Sequence, residues 1–478
     1  MARKRKLDIC LENVRIEQFA AEGKALAHVR LPEDGPDAPA GRVLFVEFAV
    51  PGDVVNVQLT RKKKSFLEGR ISAIVKPSVQ RLEPFCPHFG LCGGCRWQPL
   101  PYEIQLQAKQ RQVYDQLVRI GHLQLPEIEP IIASDKTQCY RNKLEFSASD
   151  KRWILADEDP AGIPDTEKQG LGFHVGKFFD KVLDIRECRL QREPSNAIRL
   201  FIKQYAVSHS IPFYNLRENV GVLRSVFVRT TDDGAVMVIV CFGCESPAIP
   251  ELLDALAGAF PDITSLYYIV NTKRNDSIGD QTCILYKGDD AIYEQMEGLR
   301  FRIGPKSFYQ TNAGQALKLY RKVREFADLQ GGETVYDLYT GTGTIAQFVS
   351  ARAARVIGIE YVPEAVADAK RNAAANGIDN CLFFAGDMKD VLNADFIAGH
   401  GQPDVMIVDP PRAGMHPDVV RTILAAAPPV IVYVSCNPAS QARDIAMMAG
   451  QYQVTRVQPV DMFPHTQHVE NICKLEKR

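Results

Sequence analysis

The stretch Val-Ile-Val-Tyr-Val-Ser-Cys-Asn-Pro, residues 430–438, ends an apolar run with a cysteine and a sharp turn. A short apolar run bounded by such a turn is typical of a buried strand. Cys436 is therefore expected at the carboxyl end of that strand, which is the edge where open α/β sheets bind ligands. This position makes Cys436 a candidate nucleophile. The alternative is an unreactive core thiol, because cysteine is among the most buried residue types.

From about residue 305 onward, strand-like and helix-like segments alternate strictly, which predicts a parallel, doubly wound sheet. Strands are predicted at residues 334–339, 355–360, 382–385, 405–408, 430–434, 454–460 and 471–475. Helices are predicted between them, for example at residues 363–376 and 417–426. Residues 305–478 are therefore expected to form a Rossmann-like domain within an α/β multidomain protein.

The other predicted parallel strands also end in polar groups. A glycine-rich turn from Asp337 to Thr344 follows the first strand, and the next three strands lead to Glu360, Asp387 and Asp409. Any one of these residues can be a structural turn or a helix N-cap. Because parallel strands end at one edge of a sheet, the set predicts a ligand site. Glu360 is placed there to accept hydrogen bonds from ribose hydroxyls.

Residues 1–80 are predicted to form a small OB-like β-barrel. Strand-like runs at residues 26–30, 42–48, 54–60 and 69–75 are separated by Gly, Pro and Asp clusters. Residues 1–81 carry 15 Lys and Arg against 10 Asp and Glu, whereas the remainder carries 42 against 48. Such barrels commonly bind RNA, so Lys62 and Lys63 in a basic loop are candidate RNA contacts. The alternative is a solvated basic face.

Residues 81–304 are expected to form a central α+β domain that begins with a cysteine-rich connector. Cys86, Cys92 and Cys95 lie within ten residues, and Cys188 is the candidate fourth member of this set. Four cysteines suit either a [4Fe–4S] cluster or a tetrahedral zinc ion, and their spacing leaves both open.

Composition predicts a soluble, cytoplasmic protein, with 46% hydrophobic and 24% charged residues. No apolar run approaches the ~20 residues that span a bilayer, and no secretory hydrophobic segment follows the basic first residues. The 12 cysteines are therefore expected to be reduced thiols, metal ligands or catalytic groups. Cys241 and Cys244 end a predicted buried strand with no second pair near them in sequence. They are interpreted as reduced core thiols.

Three motifs give the sequence a family resemblance. Asp-Pro-Pro-Arg at 409–412, Ser-Cys-Asn-Pro at 435–438 and Phe-Pro-His-Thr-Gln-His-Val-Glu at 463–470 resemble motifs of the RNA 5-methyluridine methyltransferases. Pro-Gly-Asp at 51–53, together with the basic loop, resembles the TRAM domain of RNA-modifying enzymes. The nearest branch has a TRAM domain and a cluster-binding cysteine set, and is typified by bacterial enzymes that methylate uracil C5 in 23S rRNA.

The resemblance implies a fold and a role for each candidate residue. It implies a class I methyltransferase domain in which Cys436 is the nucleophile and Glu470 the base; the alternative for Glu470 is a surface carboxylate. S-adenosylmethionine contacts are implied for Gln310, Tyr339, Thr344, Glu360, Asp387 and Asp409, although Asp409 can instead touch the uracil. A [4Fe–4S] cluster is implied on Cys86, Cys92, Cys95 and Cys188. RNA contacts are assigned to Arg141 and Lys143, with an ordinary basic turn as the alternative. His465 and His468 are taken as structural or RNA-facing.

The chemistry agrees with these residue types. A thiolate that adds to uracil C6 makes C5 nucleophilic enough to attack a sulfonium methyl group, and the base must leave its stack to reach the thiol. The preferred hypothesis is a monomeric methyltransferase acting on 23S rRNA. The alternatives are a methyltransferase that acts on tRNA or on two rRNA sites, and a non-catalytic RNA-binding protein.

Overall fold

The computed structural model describes residues 7, 9–20, 23–31, 41–176 and 178–478. The basic first residues considered above lie largely outside these ranges. The N-terminal sheet contains β1 (Cys10–Arg15), β2 (Gln18–Phe19), β3 (Ala25–Val29), β4 (Arg42–Glu47), β5 (Val54–Lys62) and β6 (Phe66–Lys76). Its strand order is β1-β5-β6-β4-β3-β2. Alternate residues of these strands fill one core, which includes Val14, Leu44 and Val57, so the sheet curls over itself as a small barrel does.

The central sheet contains β7 (Lys143–Ser149), β8 (Gly170–His174), β9 (Val182–Leu183), β10 (Leu223–Thr230), β11 (Val236–Phe242), β12 (Ser265–Val270) and β13 (Ile284–Gly288). Helix α1 (Tyr102–Arg119) precedes it, and α2 (Ser195–Ser208) and α3 (Ala248–Ala259) cover one face. Every residue of β10 and β11 is buried, so both faces of the sheet are covered. Residues of the opposite face, such as Phe227 and Ile239, share a core with the C-terminal domain.

The two cysteines at the end of β11 differ in environment. Cys241 is buried, as predicted, and its side chain belongs to the core shared with the C-terminal domain. Cys244 is exposed, so the expectation that it is a core thiol is wrong. The reason is local, because β11 ends at Phe242 and Cys244 lies in the turn beyond it.

A hairpin of β14 (Ile292–Met296) and β15 (Leu299–Ile303) leads into the C-terminal domain. That domain has helices α4 (Ala313–Ala327), α5 (Thr344–Ser350), α6 (Pro363–Ala375), α7 (Met388–Val391), α8 (Ala394–His400), α9 (Pro417–Ala426) and α10 (Pro438–Met448). Its strands are β16 (Thr334–Leu338), β17 (Arg355–Glu360), β18 (Cys381–Ala385), β19 (Val405–Val408), β20 (Val430–Ser435), β21 (Tyr452–Val460) and β22 (Glu470–Lys477).

The C-terminal sheet has the order β18-β17-β16-β19-β20-β22-β21. The first five strands of this order are parallel, and β22 runs antiparallel to β20 and β21. The chain order reverses between β16 and β19, and ligands bind at such a switch point. Helix α1 packs on one face of this sheet, where Val113 and Leu117 join residues of β16, β20 and α10. In the described part of the chain, no helix is long and apolar enough to cross a membrane.

Candidate active site

Cys436 and Glu470 are brought together by strand pairing. Cys436 directly follows β20, and Glu470 is the first residue of β22. In the antiparallel register, Ser435 of β20 pairs with Asn471 of β22. The next residue outward on each strand is then Cys436 on one and Glu470 on the other. The sheet edge therefore holds the thiol and the carboxyl group side by side.

The turn that carries Cys436 is tied to the turn after β19. Asn437 caps α10, because its Oδ1 accepts a hydrogen bond from the Ala439 amide at 3.2 Å. Its Nδ2 donates to the Arg412 carbonyl at 3.0 Å, and the Ser440 hydroxyl donates to the same oxygen at 3.1 Å. These bonds hold the segment 409–412, with Asp409 at its start, against Cys436.

Burial raises the pKa values of the three titratable groups closest to this turn. Burial, with a smaller contribution from Asp409, raises the pKa of Glu470 to about 8. Burial and the neighbouring Asp337 raise the pKa of Asp409 to about 7. The Cys436 thiol is affected in the same direction, since burial and then Glu470 and Asp409 raise its pKa to about 11. All three groups can be ionised at the same time only beside positively charged side chains or a bound cation.

Arg412 is a functional candidate to which the sequence argument gave no role. Its positive charge opposes the upward pKa shifts of both Cys436 and Glu470. Its guanidinium lies 2.7 Å from Nδ1 of His468. Burial lowers the pKa of His468 to about 4, so this ring is neutral and its Nδ1 accepts the hydrogen bond. The signal for Arg412 in the sequence was its position as the last residue of the Asp-Pro-Pro-Arg motif.

The glycine-rich turn after β16 lies at the same carboxyl edge of the sheet. Tyr339, Gly341 and Gly343 all have positive φ angles, of 63°, 56° and 76°. A Cβ atom at Gly343 would stand 2.9 Å from the Phe383 ring, so only glycine fits there without displacement. Glu360 supports this turn, because its carboxylate accepts a hydrogen bond from the Gly341 amide at 3.1 Å.

The other residues predicted to contact S-adenosylmethionine lie at the same sheet edge or near it. Thr344 is buried at the start of α5. Asp387 follows β18 and caps α7 by accepting a hydrogen bond from the Lys389 amide. The Gln310 carbonyl accepts a hydrogen bond from Asn142 Nδ2 of the central domain at 3.0 Å. The structure thus places Gln310 where the central and C-terminal domains meet.

Two exposed aromatic side chains near these residues were missed from the sequence. Phe308, two positions before Gln310, is 72% exposed, and Tyr361, directly after Glu360, is 67% exposed. An exposed aromatic ring beside a ligand-binding edge offers a surface on which a base can stack. The signal in the sequence was their position next to Gln310 and Glu360, which were predicted to contact S-adenosylmethionine.

The four predicted RNA contacts lie in different environments. Lys62 and Lys63 are exposed at the turn between β5 and β6. Arg141 is half-buried, with its guanidinium 5.3 Å from the centre of the Phe463 ring. The Lys143 ammonium lies 5.7 Å from the Phe227 ring centre, and burial lowers its pKa. Lys143 is therefore packed within the central sheet.

The cysteine set surrounds a cavity of about 360 Å³. Cys86, Cys92, Cys95 and Cys188 all line it, and all four are free thiols. Burial raises the pKa of Cys92 to about 11 and that of Cys95 to about 12. Among the described residues, no group of three or more His, Cys, Asp or Glu side chains is gathered closely enough to hold a metal ion. The four thiols thus line one cavity.

The sheet order, the single antiparallel strand and the acidic strand ends are those of the S-adenosylmethionine-dependent methyltransferase fold. Residues 288–478 match the model of the tRNA (uracil-5-)-methyltransferase family, and residues 12–72 match the TRAM domain. A Porphyromonas gingivalis protein named as an uncharacterized RNA methyltransferase is 55% identical, covering 97% of this chain and 99% of its own length. A similarly named Bacteroides thetaiotaomicron protein is 54% identical, covering 96% of this chain and 100% of its own length.

The fold has a solved counterpart. The structure of Pyrococcus abyssi tRNA (uracil-54, C5)-methyltransferase in complex with S-adenosyl-L-homocysteine matches with a TM-score of 0.73 and 29% identity. The match covers 97% of this chain and 100% of that chain. The chain therefore belongs to the RNA uracil-5-methyltransferase family, with an N-terminal TRAM domain, as its motifs predicted.

Proposed function

We propose that the protein methylates C5 of a uracil in RNA through a covalent bond between Cys436 and uracil C6. The observation that supports this proposal best is the register of β20 and β22, in which Ser435 pairs with Asn471 and the next residues outward are Cys436 and Glu470. A nucleophile and a proton acceptor on the same sheet edge are the two groups that this reaction requires.

The residues act in a fixed order. Cys436, as its thiolate, forms a bond to C6, and the ring electrons move to make C5 nucleophilic. S-adenosylmethionine supplies the electrophilic methyl group that C5 takes, and S-adenosylhomocysteine is left behind. Glu470 then removes the proton from C5. The electron pair of that C–H bond forms the C5–C6 double bond, and the C6–S bond breaks to return the Cys436 thiolate.

The raised pKa of Glu470 suits a proton acceptor. A carboxyl group with a pKa of about 8 is a far stronger base than an exposed one. Arg412 is the nearby cation that favours the ionised forms of both Cys436 and Glu470. The exposed Phe308 ring offers a surface on which a flipped base can stack.

A covalent trap tests this mechanism. RNA that contains 5-fluorouridine has no C5 proton to remove, so the wild-type protein with methyl donor should form a stable RNA–protein adduct. Cys436→Ala should form none. Cys381→Ala is the matched control, because it removes a buried thiol of the same domain at the far side of β17. Wild-type protein that binds RNA without forming an adduct would instead support the non-catalytic binding role.

We propose 23S rRNA as the substrate and a cytoplasmic, monomeric enzyme. The support is the TRAM domain with its exposed Lys62–Lys63 turn, together with the cysteine set. The tRNA alternative is supported by the Pyrococcus abyssi counterpart, which is named as a tRNA (uracil-54, C5)-methyltransferase. Mapping 5-methyluridine in RNAs from cells with and without the gene separates the two. Loss from 23S rRNA is expected, and loss from tRNA alone would overturn the rRNA assignment.

We propose that Cys86, Cys92, Cys95 and Cys188 hold a [4Fe–4S] cluster. A single zinc ion needs four sulfurs about 2.3 Å from one point, whereas a cluster binds each cysteine through a different iron atom. Four thiols around a cavity of about 360 Å³ suit the larger group. Analysis of the purified protein for iron, sulfide and zinc provides the test, and stoichiometric zinc without iron would overturn the assignment.

A further inference from the structure

The segment that delivers Glu470 to the site is residues 461–469, which we call the base loop. Strand β21 ends at Val460, which pairs with Glu470 at the start of β22. The base loop therefore connects the two strands directly ahead of the proposed proton acceptor. Because the loop runs directly into Glu470, the first residue of β22, we expect a displacement of the loop to reach the Glu470 side chain.

A buried ion pair anchors the start of the base loop to α1. Lys109 and Asp461 are both 0% exposed, and Lys109 Nζ lies 2.5 Å from Asp461 Oδ1. Lys109 also donates to the Phe463 carbonyl at 3.0 Å, and the Tyr102 hydroxyl donates to Asp461 Oδ2 at 2.8 Å. The pair joins residues 352 positions apart in the chain.

The middle of the base loop is held through its backbone at His465. The His465 amide donates to Gln105 Oε1 at 2.8 Å, so α1 grips the loop at a second point. The His465 carbonyl accepts hydrogen bonds from the amides of Arg96 and Trp97 at 2.8 and 3.0 Å. These two residues directly follow Cys95, so the end of the cysteine-rich connector also supports the loop.

The opposite side of the base loop is fixed by α4 and the central domain. Gln315 Nε2 donates to the Asp461 carbonyl at 2.8 Å. The Tyr140 hydroxyl donates to the Pro464 carbonyl at 3.0 Å. The loop is thus held on both sides.

The chemistry of the Lys109–Asp461 pair indicates what it is for. A buried ion pair adds little net stability over a well-packed apolar pair, because both charges must leave water. The ion pair supplies a directed contact with a single geometry. Gln105, one turn earlier on the same helix, makes a second directed contact to the base loop through the His465 amide. A supporting shell of this kind is what holds a reacting group in place.

We propose that Lys109 is a positioning residue that sets Glu470 for removal of the C5 proton. This inference rests on the proposed function, because it concerns the last step of that reaction, the removal of the C5 proton by Glu470. Displacing the base loop slows proton removal and leaves addition of Cys436 and methyl transfer less affected. The methylated RNA–protein adduct therefore accumulates on ordinary uridine RNA.

The test uses the double variant Lys109→Met with Asp461→Asn, which leaves no unpaired buried charge. The measured quantity is the ratio of methylated covalent adduct to released methylated RNA at early times, from labelled methyl donor and denaturing gels. The ratio should rise at least about tenfold. Gln105→Met removes the hydrogen bond to the His465 amide without changing the charge, and it should also raise the ratio.

Val113→Ala is the matched control, because Val113 is a buried α1 residue that packs in the core of the C-terminal domain. A variant that only lowers the folded fraction reduces adduct and product together and leaves their ratio unchanged. An unchanged ratio in both loop variants would overturn the inference. Failure of the wild-type protein to form an adduct with 5-fluorouridine RNA would instead remove the proposed function, so the two failures are distinguishable.

Discussion

The Cys436–Glu470 edge and the cysteine set are built in different ways. The edge rests on regular strands, and one register fixes both of its reacting groups. The cysteine set rests on the connector 86–95 and a turn at Cys188, and these four residues lie outside the helices and strands. A site on regular strands keeps its geometry through the sheet's own hydrogen bonds. A site on turns depends on what it encloses, as small metal-binding domains commonly do.

The largest effect that tests this contrast is expected at Glu470. Glu470→Gln keeps the size of the side chain and removes the proton acceptor, so turnover should fall by about 10²–10⁴-fold. The adduct with ordinary uridine RNA should accumulate, because the earlier steps do not need this group. Gel analysis with labelled methyl donor measures both quantities. Full turnover in the variant would show that another group removes the proton.

The second test uses pH to separate the two reacting groups. In the proposed mechanism the ionised form of Glu470 removes the proton, and burial raises the pKa of Glu470 to about 8. Release of preformed adduct should therefore rise about tenfold per pH unit below pH 8 and level off above it. Formation of the adduct should continue to rise beyond pH 8, because the pKa of Cys436 is raised to about 11. Rapid-quench measurements of the two steps should give different profiles, and identical profiles would contradict the assignment of roles.

Much of the C-terminal domain was predictable from the sequence. Parallel strands end at one edge, so Asp409 and Cys436 could be placed together without knowing any distance. The apolar runs predicted there correspond closely to β16, β17, β19 and β20. The hairpin of β14 and β15 was not predicted, since short strands that are separated by one tight turn carry little periodicity.

Contacts between distant segments were beyond the sequence argument. The bond between Arg412 and His468 joins two loops, and no local pattern predicts it. The same holds for the Lys109–Asp461 pair, since a lysine on an amphipathic helix normally faces water. Chain topology predicts which strand ends meet, whereas loop contacts are decided by side-chain packing after the fold has formed.

The third test addresses the cysteine set. The proposed cluster predicts that Cys95→Ser loses iron and has a lower thermal unfolding temperature, because metal binding contributes directly to folding free energy. Adduct formation per folded molecule should change by less than about threefold, while release should slow by about tenfold through the Arg96 and Trp97 bonds to the base loop. Cys244→Ser, which replaces an exposed thiol outside the cavity, is the control. Loss of adduct formation in the folded variant would show that the two regions are not separable in this way.

The smallest effect is expected at the exposed β5–β6 turn of the N-terminal domain. Lys62→Glu with Lys63→Glu reverses two exposed charges on the β5–β6 turn. Each phosphate contact that is lost should lower the slope of log affinity against log salt by about 0.7–0.9. The slope should therefore fall by one to two units, with a few-fold weaker binding of long RNA at physiological salt. Lys370→Glu with Lys477→Glu, at exposed positions on α6 and at the end of β22, makes the same change in overall charge and is the control.

The RNA length dependence makes this last test specific. A short stem-loop that fills only the cleft around Cys436 should be methylated at the same rate by the variant and the wild type, because the reacting groups are unchanged. A longer RNA that reaches the TRAM domain should show the difference in affinity. If the short and long RNAs were affected equally, the charge reversal would be acting through the general field of the protein. The β5–β6 turn would then be a solvated basic surface and not an RNA contact.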